Sequence, residues 1–368
     1  MAVTIKTITF ATRSRAAVAR RAHNPKVRGS IPLFATNTGL ILSPFILSNF
    51  LANEFDYLLH STNLHAVVKV IYLDLFFKKG MKSGFVNIFG KPNAGKSTLL
   101  NVLMGEKLAI VSHKVQTTRH RIKAILTDPE YQIVFSDTPG IIEPKYKLHE
   151  KMMQAVKGSL EDADVALLIT DARENPEESH AIFTFLNLKA PALVVINKID
   201  GVSDEDIKTI SNFFKSQSYC KEVVLISALK KKGIDHLLKV ILDLLPEGPA
   251  FYEGDDISDL PTKFFVSELI REKIFLLYGE EIPYHATVLV QEFKEKSTLI
   301  KIGAEIIVQR DTQKGIILGE GGKMIKQLGT LARKDIEEFL DNKVFLELFV
   351  KVRPKWRDNE MQLKEYGY

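Results

Sequence analysis

The sequence predicts two successive domains: an α/β domain with a mostly parallel sheet covered on both faces, then a smaller α+β domain. Three observations lead there. From Phe85 to Leu245, short apolar runs alternate with helical patterns. The segment Pro246–Pro261, with three prolines, two glycines and five acidic residues, breaks that rhythm. After it the order changes to helix, strand, strand, a glycine cluster, two helical stretches and a last strand.

The first strand is Phe85–Phe89, a short apolar run ending in glycine, and Lys96–Met104 reads as a helix. Ile122–Leu126 and Gln132–Phe135 are strand-like. Val165–Ile169, Leu193–Ile196 and Val223–Ile226 are continuous apolar runs, as strands buried on both faces require. Helical patterns fall between them at His149–Leu160, Glu178–Leu188, Asp204–Lys215 and Ile234–Leu245. Strands joined through helices run parallel. Downstream come a helix at Lys263–Leu277 and strands at Ala286–Phe293 and Thr298–Gln309. Ile316–Leu318 is strand-like, Lys323–Leu328 is helical and Val344–Val352 is the last strand. The expected divisions are a leader at 1–80, the first domain at 81–245, a linker at 246–261 and the second domain at 262–368. No internal repeat occurs.

Composition excludes several classes. The 368 residues are 45% apolar and 26% charged, which rules out collagen, low-complexity disorder and a disulfide scaffold. The single cysteine, Cys220, can form no intrachain bridge and no Cys-based zinc site. No run of 18 apolar residues is present, so no membrane-spanning helix is expected. The net charge of +5 is unevenly placed. Residues 1–80 carry ten Lys and Arg against three Asp and Glu, and the rest of the chain is slightly acidic.

That leader has no acidic residue before Glu54, while Arg13, Arg15, Arg20 and Arg21 cluster early. An acid-poor, Arg- and Ser-containing start fits a mitochondrial transit peptide. A second reading is a misplaced start codon. Arg13–Asn37 resembles a translation through a tRNA gene, and Met81-Lys82-Ser83 stands just before the first strand. A real extension is the third. The leader is expected to lack stable structure and is left out of the fold argument.

Gly90-Lys91-Pro92-Asn93-Ala94-Gly95-Lys96-Ser97 matches G-x-x-x-x-G-K-[ST] between a strand and a helix. Its glycines let backbone N–H groups approach phosphate oxygens, and the helix start adds its dipole. Lys96 is expected at the β- and γ-phosphates, and Ser97 on Mg²⁺. Asp137-Thr138-Pro139-Gly140 follows a strand about 40 residues beyond that lysine. Asp137 there faces the phosphate loop and can hold Mg²⁺ through a water, and the Gly140 N–H can sense the γ-phosphate. Alone, such a tetrad is more often an ordinary turn.

Asn197-Lys198-Ile199-Asp200 ends another strand, and its chemistry selects guanine. Asp200 can accept from both N1–H and the exocyclic amine, a pair that adenine lacks. Asn197 braces the loop and can reach N7, and the Lys198 stem lies along the base. Ser227-Ala228 completes the set through the Ala228 N–H, which can reach O6. Gln116-Thr117-Thr118-Arg119-His120 lies between the first helix and the second strand. A threonine here can close over Mg²⁺ when the γ-phosphate is present. Thr118 is preferred, with Thr117 as the alternative. Lys96, Thr118, Asp137 and Gly140 are therefore the candidate catalytic groups.

Gly319-Glu320-Gly321-Gly322 is a G-x-x-G loop. Glycines there admit a nucleic-acid backbone, and KH domains clamp about four nucleotides in this way. Its place after helix, strand and strand fits a type II KH domain. Neither middle position is basic, so phosphate contacts must come from neighbours such as Lys323 and Lys326. Arg310 to Arg357 carries eleven basic and seven acidic residues, a patch suited to single-stranded RNA. Any one of these lysines alone reads as a solvated helix face.

From about Met81 to Tyr368 these motifs, in this order, resemble the Era family of translation-factor-type GTPases. The resemblance rests on Gln116–Arg121, on Asp137–Gly140 and on the C-terminal domain. It implies a P-loop GTPase domain joined to a KH domain that binds the 3′ end of 16S rRNA during 30S assembly and rRNA maturation. GTP/GDP and Mg²⁺ are the implied cofactors. Ile141 stands where Ras-like proteins carry a water-orienting glutamine, and an aliphatic side chain cannot polarise water. Asn93 resembles the phosphate-loop asparagine that ligates K⁺ in potassium-activated relatives, which adds K⁺ as a candidate. Its bland alternative is a loop brace.

The expected partners are rRNA and the 30S subunit, not DNA, with the chain acting as a monomer. The expected location is the cytoplasm, with peripheral contact at the inner membrane face as a second place. Mitochondria apply only if the leader is a transit peptide. A regulatory GTPase with a partner-docking C-terminus is the rival reading. A tRNA-modification enzyme would need a catalytic cysteine and an extra helical domain, which Cys220 and the short C-terminus do not offer.

Overall fold

Six strands form the first sheet: β1 Lys82–Gly90, β2 Ile122–Thr127, β3 Tyr131–Asp137, β4 Val165–Asp171, β5 Ala192–Asn197 and β6 Cys220–Leu225. The computed structural model describes residues 81–368, apart from Asp255 and Glu280. The leader, and all three readings of it, lie outside the described residues. The strand order is β2-β3-β1-β4-β5-β6, and only β2 runs antiparallel to its neighbour. Every residue of β4 and β5 is buried, which explains their unbroken apolar runs.

Helices α1 Lys96–Met104, α2 Lys147–Glu161, α3 Pro176–Phe185, α4 Asp204–Lys215 and α5 Ile234–Leu244 cover the two faces. Leu99, Leu103, Leu237 and Ile241 pack on one face, and Val156, Phe183 and Phe214 on the other. Helix starts follow their caps. Ser203 accepts from Asp206 N at α4, and Asn175 accepts from Glu177 N at α3. The Asn175 cap with Pro176 at the first position moves the start of α3 ahead of the expected Glu178.

The segment 246–261 is bound along the sheet instead of spanning free space. Ser83 N donates to Pro246 O and Ile125 N to Ile257 O, at 3.1 and 2.9 Å. The buried Gln132 side chain donates to Tyr252 O at 2.9 Å and accepts from the Phe251 and Tyr252 amides. Phe251 packs edge-on against Phe85. Proline, glycine and acid content signals only a break in periodicity. It does not show the buried amide that satisfies the backbone there.

The second unit of secondary structure comprises α6 Thr262–Leu277, α7 Ile282–His285, β7 Thr287–Glu295, β8 Ile300–Val308, α8 Asp311–Leu318, α9 Lys323–Leu340, β9 Val344–Val352 and α10 Glu360–Glu365. Its sheet order is β7-β8-β9, with β7 antiparallel and β9 parallel to β8. Ile270, Ile274, Ile302, Ile306, Leu328 and Ile336 form its core. One expectation fails here. Ile316–Leu318 is the last turn of α8, not a strand. Three apolar residues cannot distinguish the two, and only Ile317 is buried while Ile316 faces out. Gln313 Oε1 reaches back to accept from the Gln309 and Arg310 amides at 3.0 and 3.1 Å, which caps the start of that helix.

Helix α6 joins the two cores. Phe265 belongs to the first, while Ile270 and Ile274 belong to the second. Four of its five charged residues, Glu268, Arg271, Glu272 and Lys273, are buried, and Lys263 is exposed. Lys107, from the first domain, meets Glu272 at 2.6 Å and Asp335 at 3.1 Å, and Lys273 also pairs with both. The expected boundary at residue 262 therefore falls at the start of a helix that both cores share.

Candidate nucleotide site and RNA-binding loop

The carboxyl ends of β1, β3, β4 and β5 converge on one cavity of about 640 Å³, lined by Gly95, Lys96, Ser97, Thr118, Asn197 and Asp200 among others. This is where open α/β sheets place ligands. The phosphate loop runs from Gly90 into α1. At Gly95, φ is +103°, and an added Cβ would lie 2.2 Å from Asn197 Nδ2, so only glycine fits. Pro92 and Asn93 also line the cavity, while Ala94 is buried beneath the loop. The buried Lys96 ammonium donates to Gly90 O and Lys91 O at 3.0 and 2.8 Å. Burial pushes its pKa down to about 8, against the pull of Asp137. Lys91 instead points to Glu174 and Glu178, at 3.1 and 2.6 Å.

Ser97, Thr118 and Asp137 form a closed triangle of oxygens. Ser97 Oγ donates to Asp137 Oδ2 at 2.7 Å, Thr118 Oγ1 donates to the same atom at 2.9 Å, and the two hydroxyls lie 2.9 Å apart. Asp137 Oδ1 is buried without a partner. Burial raises the Asp137 carboxyl above its ordinary range, opposed by Lys96 and by the two hydroxyls. Two hydroxyls and one carboxylate with a spare oxygen fit Mg²⁺, which prefers few protein oxygens and takes its remaining ligands from water and phosphates. Among the described residues no group of three His, Cys, Asp or Glu could hold a metal, so any ion here depends on hydroxyls and on the nucleotide. Thr138 Oγ1 donates to Ile88 O at 2.6 Å, and Ile141 N donates to Gly90 O, so Asp137–Ile141 is tied to the phosphate loop. The Ile141 side chain packs against the apolar cluster of Phe89 and Val156.

On the base side, Asn197 Nδ2 donates to Ala94 O at 2.9 Å, while its Oδ1 accepts from Lys198 N and Ala228 N at 2.8 and 3.0 Å. Asn197 thus ties the phosphate loop to the Ala228 segment, and the Ala228 N–H is held by its side chain. Lys198 sits at φ +64° and donates to Asn93 O and Asp171 Oδ2, both at 2.7 Å. Ile199–Gly201 forms a 3₁₀ turn that presents Asp200, whose carboxylate accepts from Ser227 Oγ. Asp171 is a residue that the motifs did not reveal. Burial would raise its carboxyl, but Arg173 and Lys198 outweigh that and hold it well below the usual range. The available signal was its place at the carboxyl end of the buried β4.

The segment after α1 is anchored in two directions. Asn93 Nδ2 donates to His113 O at 2.7 Å, and Gln116, at φ +60°, accepts from Tyr146 OH. Thr118 reaches the oxygen triangle, whereas Thr117 O accepts from Arg271 Nη2 of α6. Lys114 Nζ donates to Phe275 O and Tyr278 O. Arg119 is buried and donates to Pro283 O and Ala286 O, both at 2.8 Å. His120 stacks on Tyr368 at 4.2 Å and meets Phe264 edge-on. Burial pushes its pKa down to about 4, with Glu268 opposing. Sequence order alone gave no sign that Lys114, Arg119 and Arg271 belong to one junction.

In the second domain, Gly319, Gly321 and Gly322 all have positive φ, at +70°, +58° and +76°. A Cβ at Gly319 would lie 2.5 Å from Met324 Cγ, whereas one at Gly321 or Gly322 would meet nothing within 4 Å. The outer side of the loop, at Glu320–Gly322, is thus open at the start of α9. Lys323, Lys326, Arg333 and Lys334 are exposed along that helix.

Residues 85–198 match the family model described as a 50S ribosome-binding GTPase, and residues 281–357 match that of the KH domain. GTPase Era of Geotalea uraniireducens is 45% identical over 294 residues, covering 79% of this chain and 99% of that protein. GTPase Era of Ruminiclostridium cellulolyticum is 42% identical over 290 residues, 78% of this chain and 97% of its own. Two crystal structures of Era share 42% identity and a TM-score of 0.75, each covering 78% of this chain and 99% of its own. One holds MgGDPNP and nucleotides 1506–1542 of 16S ribosomal RNA; the other is a point variant of Aquifex aeolicus Era bound to GDP·AlF4⁻. With a GTPase domain and a KH domain in the same order, and relatives matched over nearly their whole length, the chain belongs to the Era family of GTPases.

Proposed function

We propose that the chain is a GTP-hydrolysing switch that binds the 3′ end of 16S rRNA and assists 30S subunit assembly and rRNA maturation. The observation that carries this reading is the segment Lys114–His120. It supplies Thr118 to the oxygen triangle and grips the C-terminal domain through Lys114 and Arg119. A change at the γ-phosphate therefore reaches the RNA-binding half through a single stretch of backbone.

Residues 81–245 supply the nucleotide site. The amides of Gly90–Ser97 cradle the phosphates, and Lys96 leaves its two carbonyls to reach them. Ser97, Asp137 and Thr118 hold Mg²⁺, which supplies positive charge beside the phosphates when bound. Asp200 and Asn197 select guanine, with Lys198 along the base and Ala228 turning to O6. Ile141 faces the core, so no side chain at that position orients water. Asn93 Oδ1, opposite the amide that braces His113, is available to K⁺. Rates compared in K⁺ and in Na⁺ buffer test that assignment.

Residues 262–368 supply the RNA site, with Gly319–Gly322 against the RNA backbone and Lys323 and Lys326 on phosphates. No helix among the described residues is long and apolar enough to cross a membrane. We place the chain in the cytoplasm as a monomer with the small subunit, touching the membrane at most peripherally. Crosslinking in cells, followed by sequencing of the bound RNA, tests the reading. The 3′ end of 16S rRNA is expected, and enrichment of no rRNA segment overturns it.

A further inference from the structure

Arg271 occupies an unusual place for a residue of the C-terminal half. Its guanidinium is buried on α6 and paired with Glu268, with Nε and Nη2 at 2.8 and 2.5 Å from the carboxylate oxygens. Phe275 lies beneath it, 5.4 Å from ring centre to guanidinium carbon. From that fixed position Nη2 also donates to the Thr117 carbonyl, the peptide group that leads directly into Thr118. The other ties across this junction run the opposite way. Lys114 and Arg119 extend from the switch segment to carbonyls of the C-terminal half. Among the described residues, Arg271 is the group of the C-terminal half that reaches into the switch backbone, one residue from the threonine on the oxygen triangle.

The physical requirement is strict. Thr118 Oγ1 must lie within hydrogen-bond distance of Asp137 and Ser97, and the segment carrying it has no regular secondary structure to hold it. A flexible loop samples many positions, and a displacement of about 1 Å at a reacting centre costs about 100-fold in rate. A guanidinium already locked by a carboxylate loses little further freedom when it takes the carbonyl.

We propose that Arg271 is a positioning residue for GTP hydrolysis, acting from the C-terminal domain through the Thr117 carbonyl to hold Thr118 on the Mg²⁺ side of the site. The inference rests on the role given to Thr118 above. It makes α6 part of the GTPase machinery and gives the RNA-binding half direct control over the hydrolytic step. A movement of α6 when RNA binds changes the rate without touching the phosphate loop.

The test uses the full chain. Arg271→Met is combined with Glu268→Gln so that no unpaired charge stays buried, and Arg271→Lys is made alone as the conservative variant. The double variant is expected to lose about 10- to 100-fold in kcat. Its half-saturating Mg²⁺ concentration should rise severalfold. GDP affinity, which needs no switch threonine, should stay within about twofold, since the guanine and phosphate-loop contacts are untouched. Arg271→Lys should recover part of the rate, and it carries the test if the double variant does not fold. Glu272→Ala loosens the same helix without touching the switch and should leave the Mg²⁺ requirement unchanged. Unchanged kcat and Mg²⁺ requirement in a folded Arg271 variant overturn the inference, as does a matching rise in the Glu272 variant. Thr118→Ala is measured beside them. If it loses activity while the Arg271 variants do not, only this inference fails; if it too is unaffected, the reading of the nucleotide site fails.

Discussion

Replacing Gly321 and Gly322 by Asp separates RNA binding from nucleotide binding. Neither added Cβ meets an atom within 4 Å, so no clash is introduced. Both positions have positive φ, which costs an ordinary residue about 1–2 kcal/mol, less for Asp. Gly322 is also the N-cap of α9, where a carboxylate recovers about 0.3–1 kcal/mol from the helix dipole. The net loss is about 1–2 kcal/mol, or a Tm shift of a few degrees. For RNA, a carboxylate about 5 Å from a phosphate repels it by about 0.8 kcal/mol even at the dielectric constant of water. Two such contacts weaken binding by about 15-fold, before any loss of close approach. Titration of a 16S 3′-end oligonucleotide at fixed salt reads this effect, and a fluorescent GDP analogue reads the nucleotide site, which should hold its affinity. A folded double variant that binds RNA like the parent chain refutes the loop assignment.

Asp200→Asn should weaken GTP by about 100-fold and favour xanthosine triphosphate, since it replaces an acceptor with a donor opposite the purine 2-position; competition binding of the two nucleotides checks it. Glu272→Ala should lower stability by about 2–4 kcal/mol, discounted because Lys107 is half-exposed while Lys273 is buried, and the urea midpoint measures the loss. A chain starting at Met81 should retain both GTP hydrolysis and RNA binding, as steady-state turnover and the same RNA titration will show.

The candidate nucleotide site was legible because its residues stand in contiguous runs. Gly90–Ser97, Asp137–Gly140 and Asn197–Asp200 each sit at the carboxyl end of an apolar run, and the parallel sheet brings those ends together. The run Gly319–Gly322 was legible as a loop from its glycines alone, although a helix leads into it and not the expected strand. What stayed hidden depends on pairs far apart in the chain. Arg271 lies 154 residues from the carbonyl it holds, and Lys107 lies 165 from Glu272. Charges on α6 look like a solvated face until both cores close around them. The turn at Ile316–Leu318 was misread because three apolar residues carry no period, and its helix starts without an N-cap side chain, on a glutamine that reaches back to the Arg310 amide. The strap at 246–261 was hidden because Gln132, its main partner, looks like any polar strand residue.

On the proposed reading, nucleotide state controls RNA binding through Lys114–His120. The most direct measurement is the affinity of the full chain for a 16S 3′-end oligonucleotide, with a non-hydrolysable GTP analogue and with GDP, at one salt concentration. Tighter binding is expected with the GTP analogue, by about tenfold or more for a coupling of about 1.4 kcal/mol. Replacing Lys114 and Arg119 together by Met should shrink that difference. Equal affinity in the two nucleotide states would mean that Lys114–His120 does not couple them.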